Sequence, residues 1–197
     1  KKKEGMECIV CVTGQHKEML EQVLEVFKVE PDYNFSIMKA NQTLYDITYL
    51  VMQGMREVLN KEKPDVVLVH GDTTTTFAAA LACFYEKVSI GHVEAGLRTN
   101  NIYSPYPEEF NRQAVGIVAK YNFAPTEQAK KNLMNEGKRE DSIFVTGNTA
   151  IDALKTTVSP DYSHPELEWA KGSRLILITA HRRENLGEPM HHMFRAI

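Results

Sequence analysis

The sequence predicts an α/β fold built on a doubly wound parallel sheet, and two patterns predict it. Short apolar runs of strand length alternate with stretches of helical period, the order that βαβ units impose. Charged residues gather directly after several of these runs, where the carboxyl ends of parallel strands present groups to ligands.

Strand-length runs fall at Glu7–Thr13, Phe35–Met38, Asp65–His70, Val88–Val93, Tyr121–Ala124, Ser142–Thr146 and Arg174–Thr179. Between the second and third, Leu44, Ile47, Val51, Met55 and Val58 share one face at i, i+3, i+7, i+11 and i+14, which marks an amphipathic helix. Further helices are expected over residues 16–28, 73–86, 107–119, 126–136 and 148–158. From Ser159 to Gly172 the stretch Ser-Pro-Asp-Tyr-Ser-His-Pro breaks the periodicity and predicts a linker, in which Trp169 serves packing. The basic start resembles the last turn of a helix, and the final residues lie inside a new helix. The chain is therefore expected to be a fragment. It would hold a Rossmann-like domain lacking its first strand (1–158), a linker (159–172) and the first βα unit of a second Rossmann-like domain (173–197).

A chain of 197 residues with 43% hydrophobic content can bury a substantial core. No apolar run approaches the ~18 residues of a membrane span, and the start Lys1-Lys2-Lys3-Glu4 leads into a strand rather than a signal-peptide core. Neither a membrane partner nor export is expected, which leaves the cytoplasm. The net charge of −3, from 23 Lys and Arg against 26 Asp and Glu, argues against nucleic-acid binding. Three cysteines make no disulfide framework. Cys8 and Cys11, three apart on a strand, point to opposite faces and are expected to be small apolar residues rather than ligands.

Four motifs carry candidate chemistry. In Val66-Val-Leu-Val-His70-Gly71-Asp72-Thr73 a strand turns into a helix start, so Asp72 either caps that helix or faces a ligand. The turn lacks the spacing of a Walker A loop. His92-Val-Glu94-Ala-Gly-Leu-Arg98 brings a carboxylate and an arginine after the next strand. Its H-x-E lacks the P-C-x-x-C that zinc deaminases require. His16, His70, His191 and His192 are also poorly spaced for a dedicated site, so no metal is expected. In Tyr106-Pro107-Glu108-Glu109, Glu109 is assigned to the helix start and Glu108 to the Glu94 cluster. Finally, Ala180-His181-Arg182-Arg183-Glu184-Asn185 follows the last apolar run. A strand-to-helix turn aimed into a cleft explains these cations better than a solvated charge run. Together the clusters predict an anionic, phosphorylated substrate.

The phrases VHGDTTTT, HVEAGLRT, YSPYPEEFNR, APTE, VTGNTAIDAL and ITAHRREN, in this order, resemble the bacterial non-hydrolysing UDP-N-acetylglucosamine 2-epimerases over nearly the whole chain. The resemblance implies two Rossmann-like domains of the glycosyltransferase-B type with the site in the cleft. It also implies reversible interconversion of UDP-N-acetylglucosamine and UDP-N-acetylmannosamine without a redox cofactor. Carbon 2 has no adjacent carbonyl to stabilise a carbanion; the family eliminates UDP across C1–C2, holds 2-acetamidoglucal and adds UDP back after protonation on the other face.

Carried onto this chain, the catalytic carboxylates correspond to Asp72, Glu94 and Glu108 and the cleft histidine to His181. The resemblance gives Glu94 and Glu108 to proton transfer at C2 and Asp72 to sugar positioning or to one of the bases. Asp72, Glu94, His181 and Arg182 would bind substrate, the last two at the diphosphate. Some members are activated by UDP-N-acetylglucosamine through the region matching Gln15, Glu108 and Arg182, although Asn41 and Glu18 depart from the activated pattern. A homodimer serving cell-surface polysaccharide synthesis is implied. The family's arginine- and lysine-bearing N-terminal loop has no counterpart in these 197 residues, which implies that they do not turn over by themselves. A glycosyltransferase of the same fold, a hydrolysing epimerase and a non-catalytic nucleotide-sugar sensor are the alternatives.

Overall fold

The computed structural model describes residues 5–14, 17–39, 41–180 and 186–197. It divides into one unit that ends at Thr157 and another that begins at Val158.

In the first unit, β1 (Cys11–Val12) and β2 (Tyr33–Asn34) pair in parallel around α1 (Lys17–Val26). The apolar run expected at Phe35–Met38 lies just past this pairing: Phe35 and Ile37 donate their amides to Val12 and Thr13, and both pack on the core. The strand expected from Glu7 is likewise short, because its first residues are exposed and Cys8 lies outside the pairing. Cys11 packs on the core, and burial pushes its thiol up to about 11.

Helix α2 (Leu44–Glu62) starts at a capping box in which the Thr43 hydroxyl accepts from the Asp46 amide and the Asp46 carboxylate accepts from the Thr43 amide. Of its expected apolar face, Ile47, Val51, Met55 and Val58 are buried while Leu44 is exposed at the helix start.

A four-stranded parallel sheet follows in the order β3 (Val66–His70), β4 (Ser89–Val93), β5 (Tyr121–Ala124) and β6 (Ile143–Val145). The crossovers run through α3 (Thr74–Tyr85), α4 (Glu108–Val118) and α5 (Glu127–Asn135), and α6 (Thr149–Thr157) follows the last strand. The registers His70↔Val93 and Val93↔Phe123 bring the carboxyl ends of β3, β4 and β5 to one edge. Under this edge, Val51, Met55 and Leu59 of α2 pack with Ala78, Ala82 and Cys83 of α3 and with Val69 and Ile90. A second cluster of Ala95, Ala124, Ala129, Leu133 and Ile143 anchors α5. Among the described residues no helix is long and apolar enough to cross a membrane.

The second unit departs from expectation. The stretch between Ser159 and Gly172 contains a five-residue helix, α7 (Pro165–Trp169), capped by His164, and Trp169 at its end is 82% exposed rather than packed. Arg174–Thr179 forms no strand, and Leu175, Ile176, Leu177 and Ile178 are exposed. The physical reason is pairing: a parallel strand exists only beside a neighbour that takes up its amides and carbonyls. The other regular elements described in this unit are α7 and α8 (Glu188–Ala196).

Candidate active site

Asp72 stands in the turn between β3 and α3. It does not cap the helix, because Thr73 does: the Thr73 hydroxyl accepts from the Thr76 amide at 3.2 Å. The Asp72 carboxylate is thereby free of the helix amides, and its Oδ2 instead accepts from Arg112 Nη2 at 2.6 Å. Asn111 Nδ2 donates to the Asp72 carbonyl at 2.8 Å, so two residues of α4 hold this turn.

Glu94 follows β4 and takes a left-handed backbone, φ +66°, which a residue with a side chain adopts only when its surroundings impose it. The Ala95 amide bonds the Phe123 carbonyl at 3.0 Å, and Asn132 Nδ2 holds the Gly96 carbonyl at 2.9 Å, fixing the chain on both sides. The Glu94 carboxylate is half-buried, with Oε2 3.6 Å from His70 Nε2. That histidine also lies 3.2 Å from the Thr149 hydroxyl at the start of α6. The ends of β3 and β4 and the turn that follows β6 thus meet at one edge.

Glu108 is the first residue of α4, and its side chain is partly exposed. The same first turns of α4 carry Asn111 and Arg112, so the helix that ties down Asp72 also carries Glu108. The structure therefore brings Asp72, Glu94 and Glu108 to the carboxyl edge of the sheet. Gln15, His181 and Arg182 lie outside the described residues.

Two motif residues have other tasks than their sequence suggests. Arg98 turns away from the edge: its side chain is buried and forms a bidentate pair with Glu136, at 2.6 and 2.8 Å, while donating to the Leu97 carbonyl. Glu109 is more than a helix start. It is fully buried, and its Oε1 accepts from the Asn100 amide at 3.2 Å and from Gln113 Nε2 at 2.9 Å. Burial alone raises its pKa. The bonds from Gln113, Thr99 and Asn100 and the nearby Arg112 charge outweigh that and hold it below the usual value. The sequence signal for this contact is the i, i+3 spacing of Glu109 and Arg112.

His92 is buried under the same edge, its Nε2 2.8 Å from the Gly71 carbonyl. A carbonyl only accepts, so Nε2 carries the proton and the ring pins the turn that holds Asp72. Burial lowers the pKa of His92 from 6.5 to about 4, with the Gly71 bond opposing and the Arg98 charge adding to the drop. The folded ring is therefore neutral at pH 7. As pH falls from 6.5 toward about 4 the unfolded chain takes up a proton that the folded chain does not, so stability is lost in that window and is flat above it. By pH 4 the loss from this group approaches ~3 kcal/mol. A ring-proton NMR titration is expected to show His92 without a shift between pH 5.5 and 8. A full titration near pH 6.5 would contradict the buried neutral ring.

Comparison with known proteins gives this arrangement a family. The family model described as UDP-N-acetylglucosamine 2-epimerase matches residues 1–197. A UDP-N-acetylglucosamine 2-epimerase of Bacillus subtilis (strain 168) is 58% identical over 197 residues, which are 100% of this chain and 52% of that protein. Among solved structures, an S. aureus MnaA–UDP complex matches with a TM-score of 0.91 at 51% identity, over 98% of this chain and 51% of that one. A Neisseria meningitidis UDP-GlcNAc 2-epimerase bound to UDP-GlcNAc matches with a TM-score of 0.74 at 53% identity, over 78% and 42%. The chain spans about half the length of the curated relatives it matches. On the family model, these identities and the shared α/β fold, the chain belongs to the UDP-N-acetylglucosamine 2-epimerase family.

Proposed function

We propose that the complete protein reversibly interconverts UDP-N-acetylglucosamine and UDP-N-acetylmannosamine by elimination and re-addition of UDP: a base takes the C2 proton as UDP leaves C1, and UDP returns to C1 as C2 is protonated on its other face. The observation that carries this reading is the gathering of Asp72, Glu94 and Glu108 at one sheet edge, with Asp72 released from capping and Glu94 forced into a left-handed turn. The relatives solved with UDP and with UDP-GlcNAc support a nucleotide-sugar ligand.

In this reading Glu94 and Glu108 carry the proton to and from C2, and Asp72 holds the sugar or acts as one of the bases. Positioned carboxylates suit the task because the proton must leave one face and arrive at the other. His181 and Arg182 stabilise the diphosphate as its charge grows. No redox cofactor or metal takes part. The complete protein has two Rossmann-like domains of the glycosyltransferase-B type, divided by a linker near residues 159–172. It acts in the cytoplasm as a homodimer, feeding cell-surface polysaccharide synthesis. A second UDP-N-acetylglucosamine, bound through Gln15, Glu108 and Arg182, activates it, and a sigmoidal rate against substrate is the expected sign; a hyperbola at all concentrations removes the activator.

The reaction itself is tested by incubating the complete protein with UDP-N-acetylglucosamine and no acceptor, then separating the nucleotide sugars. Accumulation of UDP-N-acetylmannosamine to a fixed ratio approached from either side supports the epimerase. Product only with an added acceptor indicates a transferase, and free N-acetylmannosamine indicates a hydrolysing enzyme.

A further inference from the structure

Arg112 lies between two carboxylates. Its Nη2 donates to Asp72 Oδ2 at 2.6 Å, and its Nη1 is 3.4 Å from Glu109 Oε2. Arg112 is 12% exposed and Glu109 wholly buried, whereas Asp72 is the member that reaches solvent, at 29%. Burying such a chain is weak evidence of a stabilising role, since the desolvation of each ion offsets much of the attraction. The arrangement has a direction instead. Glu109 is fixed by the Asn100 amide and by Gln113, and it meets Arg112 at Nη1, which leaves Nη2 for Asp72.

Through this chain the Asp72 carboxylate, the start of α4 with Glu108, and the loop at Asn100 are held as one body. We infer that Glu109 and Arg112 are positioning residues that act through Asp72, setting the direction of its carboxylate toward the substrate. The inference rests on the epimerase reading above. It adds two residues that touch no substrate and whose effect on turnover passes through a third.

A double-mutant cycle in the complete enzyme tests it, with Asp72→Asn, Arg112→Met and the pair together, each read by deuterium incorporation at C2 so that slow rates accumulate to a measurable signal. Arg112→Met is expected to lower kcat about 10–100-fold, the usual size for a residue that orients a reacting one, with KM changed by less than about threefold. Arg112→Lys, which keeps the charge, is expected to recover part of that loss. In the Asp72→Asn background, adding Arg112→Met is expected to cost less than about threefold more, because the group it acts through is already gone. If Asp72→Asn leaves no measurable rate, the kcat loss at constant KM and its recovery by lysine decide the matter.

Glu109→Gln combined with Arg112→Met leaves no unpaired buried charge and guards against loss of the fold, followed by thermal unfolding. Equal losses from Arg112→Met in both backgrounds, or a wild-type kcat in Arg112→Met, overturn the inference alone. A wild-type enzyme that makes no UDP-N-acetylmannosamine overturns the reaction, and the inference with it.

Discussion

Glu94→Gln in the complete protein is expected to lower turnover ~10²–10⁴-fold while leaving the fold intact, the range that general acid–base groups contribute. Glutamine has nearly the shape of glutamate, so it can occupy the half-buried place beside His70 without opening a cavity. The lost contact is a 3.6 Å approach to an exposed histidine, and exposed contacts of that kind contribute little to stability. The left-handed backbone of residue 94 persists, because the Ala95–Phe123 and Gly96–Asn132 hydrogen bonds that impose it do not involve the carboxylate. What disappears is the ability to accept and return a proton. Circular dichroism and unfolding midpoints close to wild type, together with the loss of turnover, are the expected pair of results. Wild-type rates would remove Glu94 from proton transfer, and Glu108→Gln gives the same choice for Glu108.

Gly96→Ala is expected to act two residues away by a different route. Gly96 has φ +89°, and a Cβ there would stand 2.3 Å from the Ala129 carbonyl oxygen and 3.0 Å from Leu133 Cδ1. Neither neighbour yields readily: Ala129 is helix backbone in α5, and Leu133 is fully buried in the second core cluster. The left-handed conformation costs an alanine roughly 1–3 kcal/mol, and overpacking adds about the same again. The variant is therefore expected to unfold at markedly lower urea concentration, and to lose activity because folded protein is lost. An unfolding free energy within ~0.5 kcal/mol of wild type would contradict the close approach of the turn and α5.

The contrast between these two substitutions shows which features of the site are visible in a sequence. The central strands β3, β4 and β5 were legible because they are buried runs bounded by polar turns, and their carboxyl ends follow once parallel pairing is assumed. Asp72 illustrates where local reasoning divides: Asp-Thr-Thr offers two residues able to cap one helix, and only the helix start at Thr74 decides that Thr73 does so. Arg98 and Glu109 were assigned by their neighbours in sequence, yet their places are set by a partner 38 residues away in one case and by complete burial in the other. Long-range ion pairs leave no local pattern. Arg174–Thr179 has the composition of a strand, and composition is only half of what a strand requires, since its hydrogen bonds belong equally to a neighbour.

The central claim is that a C2 proton is removed and replaced by groups gathered at this sheet edge. Proton NMR of UDP-N-acetylglucosamine in D₂O, with the complete protein and no acceptor, tests it most directly. The expected result is UDP-N-acetylmannosamine carrying deuterium at C2, with deuterium also entering the returned UDP-N-acetylglucosamine. An unchanged spectrum despite demonstrable binding of the nucleotide sugar, or epimerised product that keeps its original C2 proton, would contradict the account.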